Sequence, residues 1–209
     1  MGRVLFMKND RRISKSKKVL KDALISLMRE KDFKKITITD LVQRADLNRG
    51  TFYKHFQTKE ELLDELIDDV MEDLISSYRA PYLRTDQFSI NELTTTTVKI
   101  FEHVASYSEF YSMIVNSNVL PGFQDRIIHV FTQLTSQEII MDQVNERINS
   151  ELLTSYNVYA LFGLIVSWVK GGFKYTPAHM TEQLIEILSY SSNRANIHIK
   201  RVDNTELKK

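Results

Sequence analysis

The stretch from Ile36 to Leu63 holds residue types suited to contact with a nucleic acid. It reads ITITDLVQRADLNRGTFYKHFQTKEELL and predicts two short helices, a tight turn between them and the start of a third helix. In a helix-turn-helix, the N-terminal residues of the second helix meet base edges, and neighbouring side chains bind phosphates. We therefore expect contacts with DNA from one set of residues: Thr37, Thr39, Gln43, Arg44, Asn48, Arg49, Gly50, Thr51, Tyr53, Lys54, His55 and Lys59.

The ends of these helices are marked by side chains that can cap backbone amides. Thr37, with Asp40 three positions later, has the pattern of a capping box, so the first helix is predicted to start near Thr39. Asp46 is a residue type that tolerates the backbone conformation of a tight turn, and Asn48 is a good cap for the second helix. These caps predict a fixed frame for the exposed side chains of the second helix.

The second helix is predicted to bury one face and expose the other. Phe52 and Phe56 are four residues apart, so both can face the core. Gly50 is small, which would let the helix approach DNA closely. On the exposed face we expect Arg49, Thr51 and Lys54 to meet bases or nearby phosphates, and we expect the DNA backbone to be held by Tyr53, Lys59 and Thr39.

These residues resemble the N-terminal pattern of the tetracycline-repressor-like transcriptional regulators. That pattern is a Thr-capped helix, a turn, a short helix ending in Tyr-x-x-Phe, and a Lys-Glu-x-Leu start to the next helix; it is matched here within residues 37–62. Asp46 stands where the family usually has Gly, and we expect a slightly altered turn. The resemblance implies an all-α homodimer. It also implies a repressor that releases a roughly palindromic operator when its C-terminal regulatory region binds an effector.

Charge is distributed unevenly along the chain. Residues 1–60 hold sixteen Lys or Arg and seven Asp or Glu, a balance of +9, whereas residues 61–209 hold twelve and twenty, a balance of −8. A basic head beside an acidic body suggests that the head meets a polyanion such as double-stranded DNA. The alternative for the Lys15–Lys21 cluster is an ordinary solvated face.

Composition argues against several other classes of protein. There is no cysteine, and the five histidines lack the spacing of metal ligands, so we predict no disulfide, no metal site and no cofactor. A Gly-rich phosphate loop and a nucleophile motif are also missing, so we predict that the protein is not an enzyme. No apolar run approaches the roughly 18 residues of a membrane span. The simplest interpretation is a cytoplasmic protein, with translation starting at Met1 or Met7.

Apolar periodicity predicts helices along most of the remaining chain. The predicted domains are a DNA-binding head at 1–60 with an N-terminal basic arm, a ligand-binding and dimerisation body at 61–192, and a polar tail at 193–209. The predicted helices cover residues 14–31, 58–78 with Pro81 as its stop signal, 90–105, 109–115, 123–134 with an extension as far as 146, 151–170 and 177–192.

The last two predicted helices suggest a subunit interface. Residues 151–170 leave almost no polar face, and a helix that is apolar all round must be buried on all sides. In a chain of this size we expect these helices to pair with their two-fold mates; simple burial in the core is the alternative. The predicted interface residues are Tyr156, Leu161, Leu164, Ile165, Trp168, Leu184 and Leu188.

Large apolar and aromatic groups in the body predict either a pocket for a small apolar effector or a filled core. The predicted pocket residues are Phe101, His103, Phe110, Met113, Asn116, Phe131, Tyr159 and Phe162. Residues 163–188 resemble the C-terminal region of the dihydroxyacetone-kinase-regulator-like branch of the same family, which includes a member that acts with a partner protein. A body that docks on a partner protein is therefore the alternative to a small-molecule sensor.

Overall fold

The chain is all-helical wherever its structure is described, as predicted. A computed structural model describes residues 2–81, 93–96, 98–116, 120, 122–138 and 147–191, and for residues 2–12, 116, 138 and 191 it describes the backbone alone. Within these residues there are nine α-helices, one 3-10 helix and no strand. The α-helices are α1 (Gly2–Glu30), α2 (Ile38–Arg44), α3 (Arg49–Tyr53), α4 (Lys59–Arg79), α5 (Ile100–Ser106), α6 (Ser108–Asn116), α7 (Phe123–Glu138), α8 (Ser150–Lys170) and α9 (Pro177–Ser191); the 3-10 helix is Phe33–Lys35.

The head consists of α1, α2 and α3 around a shared apolar core. Leu20 and Leu24 of α1, Leu41 of α2 and Phe52 of α3 are all fully buried. The prediction placed the start of α1 at Ser14 and a basic arm before it, but the backbone is helical from Gly2. No Pro or Gly interrupts residues 3–30, so nothing in the sequence breaks the helix.

Local capping defines the ends of the head helices as predicted. Thr37 and Asp40 form the capping box, although α2 begins one residue earlier than expected, at Ile38. Asp46 has a positive φ of 52°, which is the left-handed conformation that Asp adopts more readily than most residues. Asn48 Oδ1 accepts a hydrogen bond from the Thr51 backbone N–H at 2.8 Å, which fixes the start of α3.

α4 connects the head to the body. It packs against α1 in the head and against α5 in the body. Its buried side chains belong to one continuous apolar cluster that extends from α1 to α9, and the division at residues 60 and 192 stays a prediction. Of the helix predicted at 90–105, residues 90–92 and 97 lie outside the described residues, and α5 begins at Ile100. In the preceding run of threonines, the hydroxyls of Thr94 and Thr96 are 2.8 Å apart, and such local hydrogen bonds compete with helix formation.

Within a single protomer, α8 is buried along one side only, and burial of its other side by a second copy stays a prediction. Its buried side chains are Val158, Ile165, Trp168 and Val169, whereas Leu152, Tyr156 and Tyr159 are 69%, 67% and 60% exposed. Among the described helices, α8 is the one long and apolar enough to cross a membrane, contrary to the expectation that no segment reaches that length. Length and composition do not distinguish a membrane span from an interface helix, and α8 packs against α6 and α7.

Candidate nucleic-acid interface

α3 exposes its cationic and aromatic side chains. Phe52 and Phe56 are buried with ring centroids 5.9 Å apart, and they anchor the helix to the core. Arg49 and Tyr53, one turn apart, are exposed together with Lys54. The short helix therefore exposes cationic and aromatic groups on one side while its other side is packed in the core.

A contact within the protein, which the sequence did not reveal, also favours a small residue at Gly50. A Cβ at this position would lie 3.3 Å from Asn48 Oδ1, the atom that caps α3. A larger residue would therefore crowd the cap itself. This tight contact, which a shift of Asn48 by a few tenths of an ångström would relieve, adds to the close approach to DNA that the sequence suggested.

α2 brings Thr39 beside α3. Thr39 and Gln43 are one turn apart on α2, and Thr39 Oγ1 accepts a hydrogen bond from Arg49 Nη2 at 2.5 Å. This bond joins the N-terminal turns of the two helices. We refer to the combined surface as the reading face, formed by Thr39, Gln43, Arg49, Gly50, Tyr53 and Lys54.

Three further residues of the predicted contact set use their side chains inside the head. Thr37 Oγ1 accepts from the Asp40 backbone N–H at 3.1 Å, and Thr51 Oγ1 donates to Asn48 Oδ1 at 3.1 Å. Thr37, Asn48 and Thr51 thus hold the ends of α2 and α3 in place. Direct contact between these side chains and DNA stays a prediction.

Arg44 is bound to α1. Its guanidinium donates to Glu30 Oε1 and Oε2 at 2.8 and 2.7 Å, and it also donates to the Ser26 hydroxyl. The hydrogen bonds from Arg44 hold the pKa of the Glu30 carboxyl below its usual range. Because this bidentate pair neutralises Arg44, the predicted contact with DNA would require the pair to open.

Lys59 is tied to the turn that precedes α2. Its Nζ donates to the backbone carbonyls of Phe33, Lys34 and Ile36 at 2.8, 3.2 and 2.8 Å. An ammonium has three hydrogens, so these bonds use all of its donors. The arrangement attaches the first residue of α4 to the 3-10 helix, and the predicted contact of Lys59 with the DNA backbone stays untested.

Two lysines of the head form ion pairs with acidic side chains of α4. Lys17 Nζ lies 2.6 Å from Glu65, and Lys21 Nζ lies 2.7 Å from Glu65 and 2.5 Å from Asp69. These ion pairs join α1 to α4, and Lys17–Glu65 and Lys21–Asp69 each span 48 residues of sequence. Lys17 and Lys21 therefore serve the junction between head and body, while Lys15 and Lys18 of the same cluster remain exposed.

His55 lies beyond the end of α3 and is half-buried. Burial lowers the pKa of His55, and the positive charges of Lys17 and Lys54 lower it further. The imidazole is therefore mostly neutral near pH 7. His55 can offer hydrogen bonds to DNA but contributes little positive charge to the reading face.

Comparison with known proteins accounts for both ends of this architecture. Residues 20–66 match the model described as bacterial regulatory proteins of the tetR family, and residues 91–190 match the model of a transcriptional regulator C-terminal region. The chain belongs to the tetR family. The resemblance read from residues 37–62 is thus confirmed, and the head is that of a DNA-binding helix-turn-helix regulator.

The chain is also similar to two curated transcriptional regulators. It is 19% identical over 173 residues to the uncharacterized HTH-type transcriptional regulator YxbF of Bacillus subtilis, which covers 81% of this chain and 44% of YxbF. It is 38% identical over 48 residues to the HTH-type dhaKLM operon transcriptional activator DhaS of Lactococcus lactis, which covers 23% of this chain and 26% of DhaS. The chain spans less than half the length of the curated relatives that it matches.

A solved structure supports the fold of the tetR-family chain. The dihydroxyacetone kinase operon activator DhaS superimposes with a TM-score of 0.55 and 19% identity, and the match covers 84% of this chain and 95% of that one. At this identity the likeness shows the shared fold. Both matches with DhaS agree with the branch of the family that the C-terminal sequence resembles.

Three of the aromatic residues predicted to line a pocket in this tetR-family body pack against other rings in its core. The Phe101 ring packs edge-on against Trp168 at 5.6 Å, Phe110 packs against Phe123 at 5.2 Å, and Phe131 stacks on Tyr78 at 4.8 Å. Phe101, Phe110 and Phe131 are fully buried, and Met113 is 4% exposed. These contacts agree with the alternative that the aromatic groups form a core.

The other predicted pocket residues do not converge. Tyr159 is exposed on the outer face of α8, Phe162 is half-buried on the same helix, and the side chain of Asn116 lies outside the described residues. A groove of about 770 Å³ does exist, but it lies between α1, α4 and α6. Among the predicted pocket residues, Phe110 alone lines this groove, so the predicted site and the observed groove differ.

His103 was predicted as a polar anchor for an effector, and the structure gives it two partners in the protein. Its Nδ1 lies 2.7 Å from Asp73 Oδ2 on α4, and its Nε2 lies 2.8 Å from the Tyr111 hydroxyl on α6. Both ring nitrogens are therefore occupied. His103 connects α4, α5 and α6 inside the core.

The predicted interface residues divide into two groups. Ile165 and Trp168 are 2% and 4% exposed, and the Trp168 indole N–H donates to the Tyr175 carbonyl at 3.0 Å. They belong to the protomer core, so they cannot supply an interface unless the protomer opens. The second group lies nearer the surface. Tyr156 is largely exposed on α8, and the half-buried members are Leu161, Leu164, Leu184 and Leu188.

Proposed function

We propose that this protein is a transcriptional regulator that binds a roughly palindromic DNA operator as a homodimer. The observation that carries the proposal is the reading face, where cationic and hydroxyl groups of α2 and α3 are exposed on capped, well-packed helices. Dimeric helix-turn-helix proteins bind half-sites about 34–36 Å apart, or a multiple of that distance. Membership of the tetR family supports this assignment.

The exposed side of α8 supports the homodimer. Leu152, Tyr156 and Tyr159 lie on one side of the helix and are at least 60% exposed, which is unusual for such large groups. Gly163 lies further along the same helix, and a Cβ there would meet nothing within 4 Å. The protomer therefore does not require a glycine at this position, whereas a closely approaching helix from a second copy would.

The exposed side of α9 extends this surface. Ile187 and Tyr190 are 47% and 68% exposed. We propose that α8 and α9 pair with their two-fold mates through these outer faces in a four-helix interface. Tyr159, predicted as a pocket residue, is assigned to this interface.

The first form of regulation that we propose is a repressor released by a small apolar effector. The effector would bind in the body and favour a separation of the two heads that does not fit the operator. α4 is the element placed to transmit the change, because it starts in the head and its Asp73 is bonded to His103 in the body.

The second form is a regulator whose body docks on a partner protein. The burial of Phe101, Phe110 and Phe131 favours this form, because these side chains are occupied by one another and by neighbouring rings. DhaS, the relative whose name describes a transcriptional activator, also gives a reason to test for activation as well as repression.

Replacing Lys54 and Tyr53 tests the DNA-binding proposal. We expect Lys54→Ala to weaken binding to all sequences and to reduce the salt dependence of log K by about one unit, because one phosphate contact is lost. Tyr53→Phe should weaken binding by removing a hydroxyl. Fluorescence anisotropy with an operator selected from a random duplex library would measure both effects.

The control is Lys174→Ala, which removes an equal charge from the loop between α8 and α9 and should leave affinity unchanged. If Lys54→Ala and Tyr53→Phe both bind as well as the original protein, α3 is not the DNA-contacting helix.

A further inference from the structure

We propose that Thr39 is a positioning residue that aims the Arg49 guanidinium at a guanine in each operator half-site. The inference rests on the proposed DNA-binding function and makes it more specific. It starts from the hydrogen bond between Arg49 Nη2 on α3 and Thr39 Oγ1 on α2. The two residues are ten positions apart and belong to different helices, so the bond depends on the folded head.

Two arginines of the head are held in different ways. Arg44 is paired with the Glu30 carboxylate, which neutralises its charge and uses both terminal nitrogens. Arg49 forms no ion pair with a carboxylate among the described residues; its partner is a neutral hydroxyl. A hydroxyl restrains the direction of the guanidinium without cancelling its positive charge, so Arg49 is both oriented and available for DNA.

Thr39 is itself held firmly. It lies in the first turn of α2, where the Asp40 carboxylate accepts from the Thr37 backbone N–H at 2.8 Å and pairs with Lys31 Nζ at 2.8 Å. The hydroxyl of Thr39 takes no part in this cap. Removing that hydroxyl should therefore leave α2 intact while it frees the Arg49 side chain.

The donors left on Arg49 point to the base that it recognises. A guanidinium has five N–H donors, and the bond to Thr39 uses one of them. The remaining donors can form the bidentate contact with O6 and N7 of guanine, the commonest specific contact in the major groove. Such a pair discriminates by roughly 5- to 150-fold against the wrong base. Holding the long side chain in advance reduces the conformational entropy lost on binding.

The test compares Thr39→Val with Thr39→Ser in the full-length chain. An operator is selected from a random duplex library with the original protein, and the position relaxed by Arg49→Ala is identified. Affinities are then measured for the four bases at that position. We expect Thr39→Val to reduce the preference for guanine at least 5-fold, with an unchanged salt slope, and Thr39→Ser to retain it. In the double variant, Thr39→Val should have no added effect on Arg49→Ala.

A different pattern would overturn the proposal. If Thr39→Val weakens all sequences equally, with the preference for guanine retained, Thr39 is a phosphate anchor instead. If the preference for guanine is unchanged, Arg49 needs no positioning. Thr39→Ala repeats the test should the valine variant melt at a lower temperature. Failure of the original protein to enrich any sequence would instead contradict the proposed DNA-binding function.

Discussion

The buried imidazole of His103 has a hydrogen-bond partner at each ring nitrogen, and so does the Tyr111 hydroxyl when the ring is neutral. With its hydrogen on Nδ1, the ring donates to Asp73 and accepts from the Tyr111 hydroxyl through Nε2. A second proton would take away the acceptor of Tyr111 in a buried site. Burial lowers the pKa of His103, although the hydrogen bond to Asp73 partly opposes this effect. The tyrosines beside it, Tyr107 and Tyr111, have pKa values raised by burial and stay neutral.

This environment predicts that the folded state loses stability as pH falls. The unfolded chain binds a proton at His103 near pH 6.5, whereas the folded chain resists it, so stability is present above that pH and is lost below it. Urea unfolding between pH 7.5 and 5.5 should show the loss, with a slope for one group of at most about 1.4 kcal/mol per pH unit. The carboxyl groups of Glu30 and Asp40 have lowered pKa values, so they take up protons below this pH range and do not contribute to the loss of stability within it.

The His103→Gln variant isolates the contribution of this residue. It should flatten the pH dependence in this window while lowering stability at pH 7.5. His55→Gln is the comparison: burial lowers the pKa of His55 too, but its side chain is only half-buried, so this variant should flatten the slope less than His103→Gln. An unchanged slope in His103→Gln would contradict the interpretation.

Residue-scale features were predictable from the sequence only where the partners are close in the chain. The caps by Thr37 and Asn48 involve atoms three residues away, and the sequence pattern predicted both. Lys59 binds carbonyls 23–26 residues away, and Arg44 binds a carboxylate 14 residues away. These partners are set by the packing of α1, α2 and α4, which no local pattern specifies, so both residues were assigned to DNA alone.

At the scale of elements, periodicity predicted the helices more reliably than their surroundings. The all-α fold and the order of α1–α4 follow from apolar stripes and caps in the sequence. α8 shows the limit of this reasoning, because a helix that is apolar all round has no stripe to distinguish core from interface. The structure separates the two faces: Trp168 and Ile165 point into the protomer, while Tyr156 and Tyr159 point outward.

The outer face of α8 predicts how the proposed dimer can be disrupted. Tyr156→Asp would bury an unpaired carboxylate in each copy of a two-fold interface, which costs several kcal/mol. We expect the dimer to dissociate at least about 100-fold more readily and operator binding to weaken with it. Light scattering coupled to size exclusion, at micromolar protein, measures the mass.

A charge added elsewhere serves as the control for this variant. Gln137→Glu adds the same charge at an exposed position on α7 and should remain dimeric. A Tyr156→Asp protein that keeps the dimer mass and the operator affinity of the original would place the interface on another surface.

For the whole molecule, the proposed control of DNA binding would act between a basic head and an acidic body. The two parts meet through α4, which is paired with α1 by Lys17–Glu65 and Lys21–Asp69 and with α5 by Asp73–His103. A ligand or partner that shifts α4 would therefore alter the orientation of the head. To move the protein from 1:99 to 99:1 between two states, the ligand must prefer one by about 5.5 kcal/mol.

The only tryptophan of the chain can report such a shift. Trp168 is 4% exposed, and its ring packs edge-on against Phe101 at 5.6 Å and Phe173 at 4.9 Å. If a small apolar effector enters the body, we expect it to change Trp168 emission, raise the melting temperature and alter operator affinity. Phe101→Leu should weaken all three responses together, because it changes the packing beside the indole, whereas Gln137→Glu should change none of them.

The partner-protein form of regulation predicts the opposite set of results. A broad panel of apolar compounds should then leave both Trp168 emission and the melting temperature unchanged. A purified partner, recovered by pull-down with the full-length chain and identified, should bind the isolated protein and shift its operator affinity. That shift must be reciprocal, since the coupling free energy is shared: operator DNA must change the affinity for the partner by the same factor. A partner whose binding is indifferent to operator DNA would rule out this form of regulation.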